Sequence, residues 1–339
     1  MTRLRRLASS VRRLSDVART MTQRQQEGQK LDAMARELAA SGDYRVLRRL
    51  VPSPVMPPAA RGELEKIGIV IDLETTGLDH TKDEVIELAM VKFSYGVTGD
   101  VAGVHAVFQE FNEASVPIPS RITRLTGITD AMVAGRKIDC AAVETFVADA
   151  DLVIAHHAGF DRRFAERAWP LFAHKAWACS ATEVDWQEYG FSGAKLIYLA
   201  AEAGFFYGAH RAVDDCHAVL ELLGRPLPAI STTALSVLIH RAQRRTFRIW
   251  AEHSPYDLKD VLKVRGYRWS DGAGGSLRSW YIDVDECDRD AELTFLRAEI
   301  YQRNVPLRCV ALSAFERFSE RAGPRYAQPA SWPKVESVR

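Results

Sequence analysis

The sequence has little cysteine and arranges it in no pattern. Its five cysteines, Cys140, Cys179, Cys216, Cys287 and Cys309, are odd in number, widely separated and never spaced as CxxC. That argues against a disulfide framework or a structural zinc site as the basis of the fold. No apolar run approaches the roughly 18 residues of a membrane span, and the N-terminus lacks the apolar core of a secretory signal. Internal repeats and low-complexity tracts are also missing. Net charge is nearly absent, with 45 Lys and Arg against 44 Asp and Glu giving +1. Together these absences lead us to expect a soluble protein of a reducing compartment, the cytoplasm, with no membrane partner. The opening MTRLRRLASSVRRLSDVART is arginine-rich and amphipathic, and in a eukaryote would read as a mitochondrial presequence.

What is present is unevenly distributed. The first fifty residues hold twelve Lys or Arg against five Asp or Glu, leaving 33 against 39 in the remainder. At 339 residues the chain has room for one full catalytic domain and smaller additions. Leu4, Leu7, Val11, Leu14 and Met21 recur at helical spacing, and a second helical stretch runs from Leu31 to Leu38. Residues 1–51 are therefore expected to form a helical arm. Such an arm suits contact with a polyanion or docking to a partner, and equally a hairpin packed on its own body or on a dimer mate. Pro52, Pro54, Pro57 and Pro58 mark residues 52–65 as a linker.

From Lys66 the pattern changes. IGIVID, EVIELAMVKFSY and the stretch from Val101 to Phe111 read as strands, separated by the turn-forming TTGLD and SYGVTGD. Alternation follows: a helix near Ala141 to Ala148, the strand DLVIAHH, a helix starting near Phe160 and another from Val213 to Leu223. This predicts an α/β domain over residues 66–224, a mixed sheet with helices on its faces. After the connector GRPLP, residues 230–320 read as a small α+β unit, with strands at TFRIWAE, SWYIDV and LRCVAL. The segment 323–339 is expected to be disordered.

Asp72 and Glu74 lie two apart at the end of an apolar strand, so alternation projects both carboxylates from one face. Asp161 falls in the first turn of a helix, after the strand of IAHHAGFD, where a carboxylate is favoured. In HRAVDD, His210 precedes Asp215 by five residues at the start of another helix. Taken singly, a solvated strand-end acid, a helix-start aspartate and a surface histidine are all ordinary. Their conjunction is not, because each lies at a strand end or helix start, where an α/β sheet gathers its active site.

IDLETTGL, AHHAGFD and HRAVDD resemble, in order and separation, the three motifs of the DnaQ-like 3′→5′ exonucleases of the DEDDh type, and IPSRITRLTGITDAMVAG is similar to that family's segment between the first two. The resemblance covers roughly residues 66 to 224. It implies an RNase H-like mixed sheet, two divalent cations (Mg²⁺ or Mn²⁺) held by Asp72, Glu74, Asp161 and Asp215, and His210 as general base. Four carboxylates balance the charge of two such ions, which prefer oxygen ligands. Paired ions roughly 4 Å apart suit in-line phosphodiester hydrolysis, and an imidazole can take a proton from water. The resemblance further implies that Thr75 and Thr76 line the pocket of the terminal nucleotide. His157 stands where the family usually has Asn, a departure bearing on substrate positioning. Trp177, Cys179 and Asp185 are assigned no chemistry.

In the third region, Lys259, Lys263, Arg265, Arg268 and Arg278 interleave with Tyr256, Tyr267, Trp269, Trp280 and Tyr281. This pattern suits a single-strand platform, and it suits the core of a small domain equally. The leading reading is a metal-dependent 3′→5′ exonuclease on DNA ends, of proofreading or repair type, similar to the epsilon subunit of bacterial DNA polymerase III. Its partner would be nucleic acid with a 3′ end, and a DNA polymerase subunit is an admissible second one, although no clamp-binding motif follows the domain. An exoribonuclease is the alternative within the enzyme class. A catalytically silent nucleic-acid-binding subunit is the alternative outside it.

Overall fold

The computed structural model describes residues 27–56, 65–272 and 277–322. The stripe from Leu4 to Met21 and the segment 323–339 lie outside them. The chain divides into two compact units, one made of residues up to Arg49 with Gly204–Phe206, the other of the rest. In the first unit, helix α1 spans residues 27–40. Strand β1 (Arg48–Arg49) pairs in parallel with β7 (Phe205–Phe206), and Arg48 also holds Asp32 at 2.6 Å. Two-residue strands carry no periodicity, so the sequence does not announce this pair.

The second unit contains two sheets. Strands β2 (Lys66–Thr75), β3 (Val85–Tyr95), β4 (Val101–Phe111), β5 (Leu152–Ala155) and β6 (Trp177–Cys179) form the first, in the order β4-β3-β2-β5-β6. β2 runs antiparallel to β3 and parallel to β5, which makes the sheet mixed. β3 is buried along almost its whole length because both faces are covered, whereas β4, at the edge, is only intermittently buried. Helices α2 (Ser120–Thr126), α3 (Asp130–Val133), α4 (Cys140–Val147), α5 (Ala158–Ala168), α6 (Leu196–Glu202) and α7 (Ala212–Gly224) complete this part. α7 packs on β2 and β3, and α5 on β5 and β6. One core joins Ile69, Ile71 and Leu73 of β2 to Leu88, Met90, Phe164 and Trp177. The architecture is an RNase H-like mixed sheet flanked by helices.

Helix α8 (Ala234–Gln243), capped by the Thr233 hydroxyl, leads to the second sheet. β8 (Thr246–Ala251), β9 (Arg268–Asp271), β10 (Arg278–Asp285) and β11 (Cys309–Leu312) form it in the order β11-β8-β10-β9, all antiparallel, accompanied by α9 (Lys259–Val264) and α10 (Arg289–Phe295). Its own core gathers Ile249, Leu262, Tyr267, Leu296 and Ile300. Of the interleaved aromatics, Tyr267 is buried and donates to buried Glu292, while Trp269 is 50% exposed. Most of the interleaved basic groups are engaged locally, with Arg268 on Asp283, Arg265 on Glu292 and Lys263 on Asp260.

Candidate active site

β2 delivers Asp72 and Glu74, and the first turn of α7 delivers Asp215; ligand oxygens of all three lie within 4.8 Å of one another. Asp161, in the first turn of α5, is buried and stands outside that trio. It accepts a backbone hydrogen bond from Leu73, the residue between Asp72 and Glu74, and its charge acts on both of those acids.

The turn after β2 is held by its own side chains. The Thr75 hydroxyl donates to the Gly77 carbonyl at 2.6 Å, and the Thr76 hydroxyl accepts the Glu84 N–H at 3.0 Å. Both threonines are buried. A Cβ on Gly77 would lie 2.4 Å from the Asp83 carboxylate, which closes the turn by accepting the Asp79 N–H, so any side chain here must displace that carboxylate.

At the start of α7, Asp215 accepts from the Tyr207 hydroxyl at 3.0 Å and from the Arg211 N–H at 3.1 Å. His210, exposed and outside the acidic trio, has φ 65°, a left-handed conformation uncommon for a side-chain-bearing residue, and its backbone N–H also serves Asp215. His157 is exposed at the N-terminal boundary of α5, where its carbonyl accepts the Phe160 N–H at 2.7 Å. Its neighbour His156 is buried between Ser180 Oγ and the Ala194 carbonyl, and burial lowers it to about 4. Trp177 and Cys179 are core residues, and Asp185 is exposed.

Sequence reasoning missed Glu87. It lies directly opposite Glu74 across the β2–β3 pair, fully buried, accepting from Gln109 at 2.6 Å and from Arg211 at 3.3 Å. A lone acid inside the apolar run EVIELAM was the available signal. Tyr207 and Arg211 were likewise unassigned.

Burial dominates the electrostatics, and crowding of acids adds to it. Burial first, then the neighbouring carboxylates, raises Asp72 well above the usual carboxylate range. The same causes lift Glu74 to about 8, against which Arg211 acts weakly. Burial carries Asp161 to about 8, and Asp215 to about 6 despite the hydrogen bonds it accepts. Carboxylates that repel one another in a partly dry site bind cations through hard oxygen donors, so these residues fit a divalent cation.

A cleft of about 890 Å³, lined by none of the four acids, is bounded by Leu78, His157 and Phe160 together with Arg248, Trp269 and Tyr281 from the second sheet.

The family model described as "Exonuclease" (RNase T) matches residues 69–223. The DNA polymerase III subunit epsilon of Aquifex aeolicus is 33% identical over 165 residues, covering 45% of this chain and 77% of that protein. The chain belongs to the DnaQ-like exonuclease family. The PolC-type DNA polymerase III of Caldanaerobacter subterraneus is 29% identical over 175 residues, covering 50% of this chain. This family member spans only 12% of that polymerase and 11% of the corresponding one from Clostridium perfringens. Among solved structures, the zinc-bound E. coli exonuclease I complex with single-stranded DNA matches with a TM-score of 0.44 at 12% identity, covering 69% of this chain and 71% of that one.

Proposed function

We propose that this chain is a metal-dependent 3′→5′ exonuclease of the DEDDh type that removes nucleotides from DNA 3′ ends. The observation that carries this is the convergence of Asp72, Glu74 and Asp215 within 4.8 Å, with burial raising all three and the neighbouring carboxylates raising Asp72 and Glu74 further. Asp72, Glu74, Asp215 and the adjoining Asp161 are the residues that would hold two divalent cations, Mg²⁺ or Mn²⁺. When bound, such ions supply Lewis acidity and neutralise charge on the reacting phosphodiester.

The remaining work falls to the chain's own groups. His210 sits exposed on the loop ahead of α7 and is the general base that takes the proton of the attacking water. Tyr207 and the Arg211 amide fix the Asp215 carboxylate. Thr75 and Thr76 shape the wall of the terminal-nucleotide pocket, their hydroxyls engaged in holding the turn. His157, exposed beside Asp161, is placed to donate to the substrate backbone. The cleft toward the second sheet is the path of the strand behind its 3′ end, with the exposed Trp269 face for a base and Arg163 of α5 for a phosphate.

The likeness to an epsilon subunit makes a DNA polymerase subunit a candidate partner. Among the described residues no helix is long and apolar enough to cross a membrane, and all five cysteines are free thiols, as suits the reducing cytoplasm.

Purified protein with Mg²⁺ or Mn²⁺ should shorten a 5′-labelled DNA oligonucleotide from its 3′ end and stop with EDTA. Matched RNA should be cut more slowly. Asp72→Ala that still degrades DNA would overturn the assignment, and faster cutting of RNA would make this an exoribonuclease.

A further inference from the structure

The residue after Asp161 is a fully buried arginine, and most of its partners come from more than 150 residues away. Arg162 donates through Nε to Glu166 at 2.6 Å; one terminal nitrogen donates to the carbonyls of Ala314 at 3.2 Å and Arg317 at 2.7 Å, and the other to that of Phe315 at 2.6 Å. Its guanidinium also lies over the Trp177 ring, 5.5 Å from the centroid. Residues 313–321 thus close over α5.

The same segment is tied down on both sides. The Ala314 carbonyl accepts the Trp177 N–H at 2.8 Å, covering the edge of β6. Arg317, buried, pairs with buried Glu183 at 2.7 Å, and the other Glu183 oxygen accepts the Cys179 N–H. Further along, Ser319 and Arg321 reach Glu166 at 2.7 Å and 3.1 Å, and Glu320 meets His80 at 2.7 Å, in the loop that follows Asp72 and Glu74. One stretch of chain therefore fastens both the helix bearing Asp161 and the loop leaving β2. It lies wholly outside residues 69–223, which match the exonuclease family.

Resting on the reading of Asp161 as a metal ligand, we infer that residues 313–321 are a strap that holds α5 in register for metal binding, with Arg162 as the positioning residue through which it acts. Physical cost enforces the coupling. Without the strap the buried guanidinium keeps only Glu166 of its own helix, and both terminal nitrogens lose their carbonyl acceptors, a cost that α5 relieves by shifting. Asp161 is the next residue along the same helical turn and moves with it.

The test is Mn²⁺ affinity by isothermal titration calorimetry on the full chain, at a temperature where circular dichroism shows each variant folded. Arg162→Gln is expected to raise the Mn²⁺ dissociation constant roughly tenfold or more, the scale of losses when a group supporting a ligand is removed. It should lower kcat with KM nearly unchanged. Arg162→Lys, which keeps the charge and some donors, should recover part of the affinity. Wild-type Mn²⁺ binding in folded Arg162→Gln would overturn the strap. Should that variant not fold, the double variant Ser319→Ala with Arg321→Ala, which strips Glu166 of its strap partners, carries the same test: several-fold weaker Mn²⁺ binding supports the strap and unchanged binding overturns it. Asp161→Asn separates the two levels. If it binds Mn²⁺ as wild type does, the ligand assignment fails; if it binds weakly while Arg162→Gln does not, only the strap fails.

Discussion

Glu74 and Glu87 face each other across the β2–β3 pair, like charges at directly opposed positions on one side of the sheet. Opposed like charges are unfavourable in a sheet, and Glu87 is among the groups that raise Glu74. What Glu87 provides in return is a buried acceptor for Arg211 and for the Ala212 N–H at the start of α7. It therefore docks the helix that carries Asp215 beside the strand that carries Glu74.

Glu87→Gln removes one charge from this cluster. Glu74, at about 8 with Glu87 in place, should titrate at a lower pH in the variant. Carbon-13 NMR titration of the glutamate carboxyls in EDTA reads this directly. An unmoved Glu74 midpoint would show that burial and the remaining acids set it without Glu87.

The metal-free protein should lose stability as pH rises. Glu74 and Asp161 stand at about 8 and Asp215 at about 6 in the fold, all above the ordinary carboxylate values they regain on unfolding. Groups raised by folding contribute stability that is fully present below about pH 4 and is lost progressively from there to about pH 8, because the unfolded chain gives up protons that the folded carboxyls still hold. The loss should be on the order of a few kcal/mol. Melting temperature in EDTA should accordingly fall across that window, and saturating Mn²⁺ should restore it at pH 8. A flat EDTA curve would contradict the crowding of charges.

Asp72→Asn follows from the same balance. Removing the acid that four other carboxylates push upward should abolish cleavage to within background, yet stabilise the metal-free protein at pH 8 by about 1 to 3 kcal/mol. Denaturant melts in EDTA compare the two proteins. Lower stability in the variant would mean that Asp72 is structurally favourable where it stands.

The parts of this molecule that were legible in the sequence are those with a local cause. Period-two alternation places Asp72 and Glu74 on one face of β2, and the helix beginning near residue 212 places Asp215 in its first turn. β2 starts at Lys66 and α7 ends at Gly224, where the hydrophobic period changes. Glu87 was not legible because its role depends on the β2–β3 register, which no single strand encodes. Arg162 was hidden more deeply: its acceptors are backbone carbonyls, which carry no residue identity, contributed by a segment over 150 positions away. The left-handed conformation of His210 likewise leaves no mark in the residue itself.

Gly77 offers a test of the turn that follows the first two acids. Gly77→Ala would drive a methyl group to 2.4 Å from the Asp83 carboxylate, displacing the acceptor of the Asp79 N–H and the partner of Thr76. Overpacking of this kind costs about 1 to 3 kcal/mol. Because Asp83 anchors the loop next to β2, the variant should also cut DNA more slowly at temperatures well below its melting point. Wild-type stability in Gly77→Ala would indicate that Asp83 has another place to go.

The second sheet contributes to substrate binding only if a strand runs through the cleft, and length dependence can decide this. Trp269 is half exposed on the cleft wall, whereas Arg248 and Arg268 are both tied to Asp283, at 2.6 Å and 2.8 Å, so the aromatic face rather than free charge is what this wall offers. Stacking of one base is worth about 1 to 3 kcal/mol, which corresponds to roughly 5- to 150-fold in KM. Trp269→Ala should raise KM by that factor on oligonucleotides long enough to span the cleft, leave kcat nearly unchanged, and have no effect on a dinucleotide that occupies only the acidic site. Loss of stacking should add little salt dependence, whereas Arg163→Ala, removing an exposed cation of α5 on the opposite wall, should flatten the dependence of KM on salt concentration. Equal effects of Trp269→Ala on long and short substrates would assign the tryptophan to packing against Trp280, whose ring centroid lies 5.4 Å away, rather than to the strand.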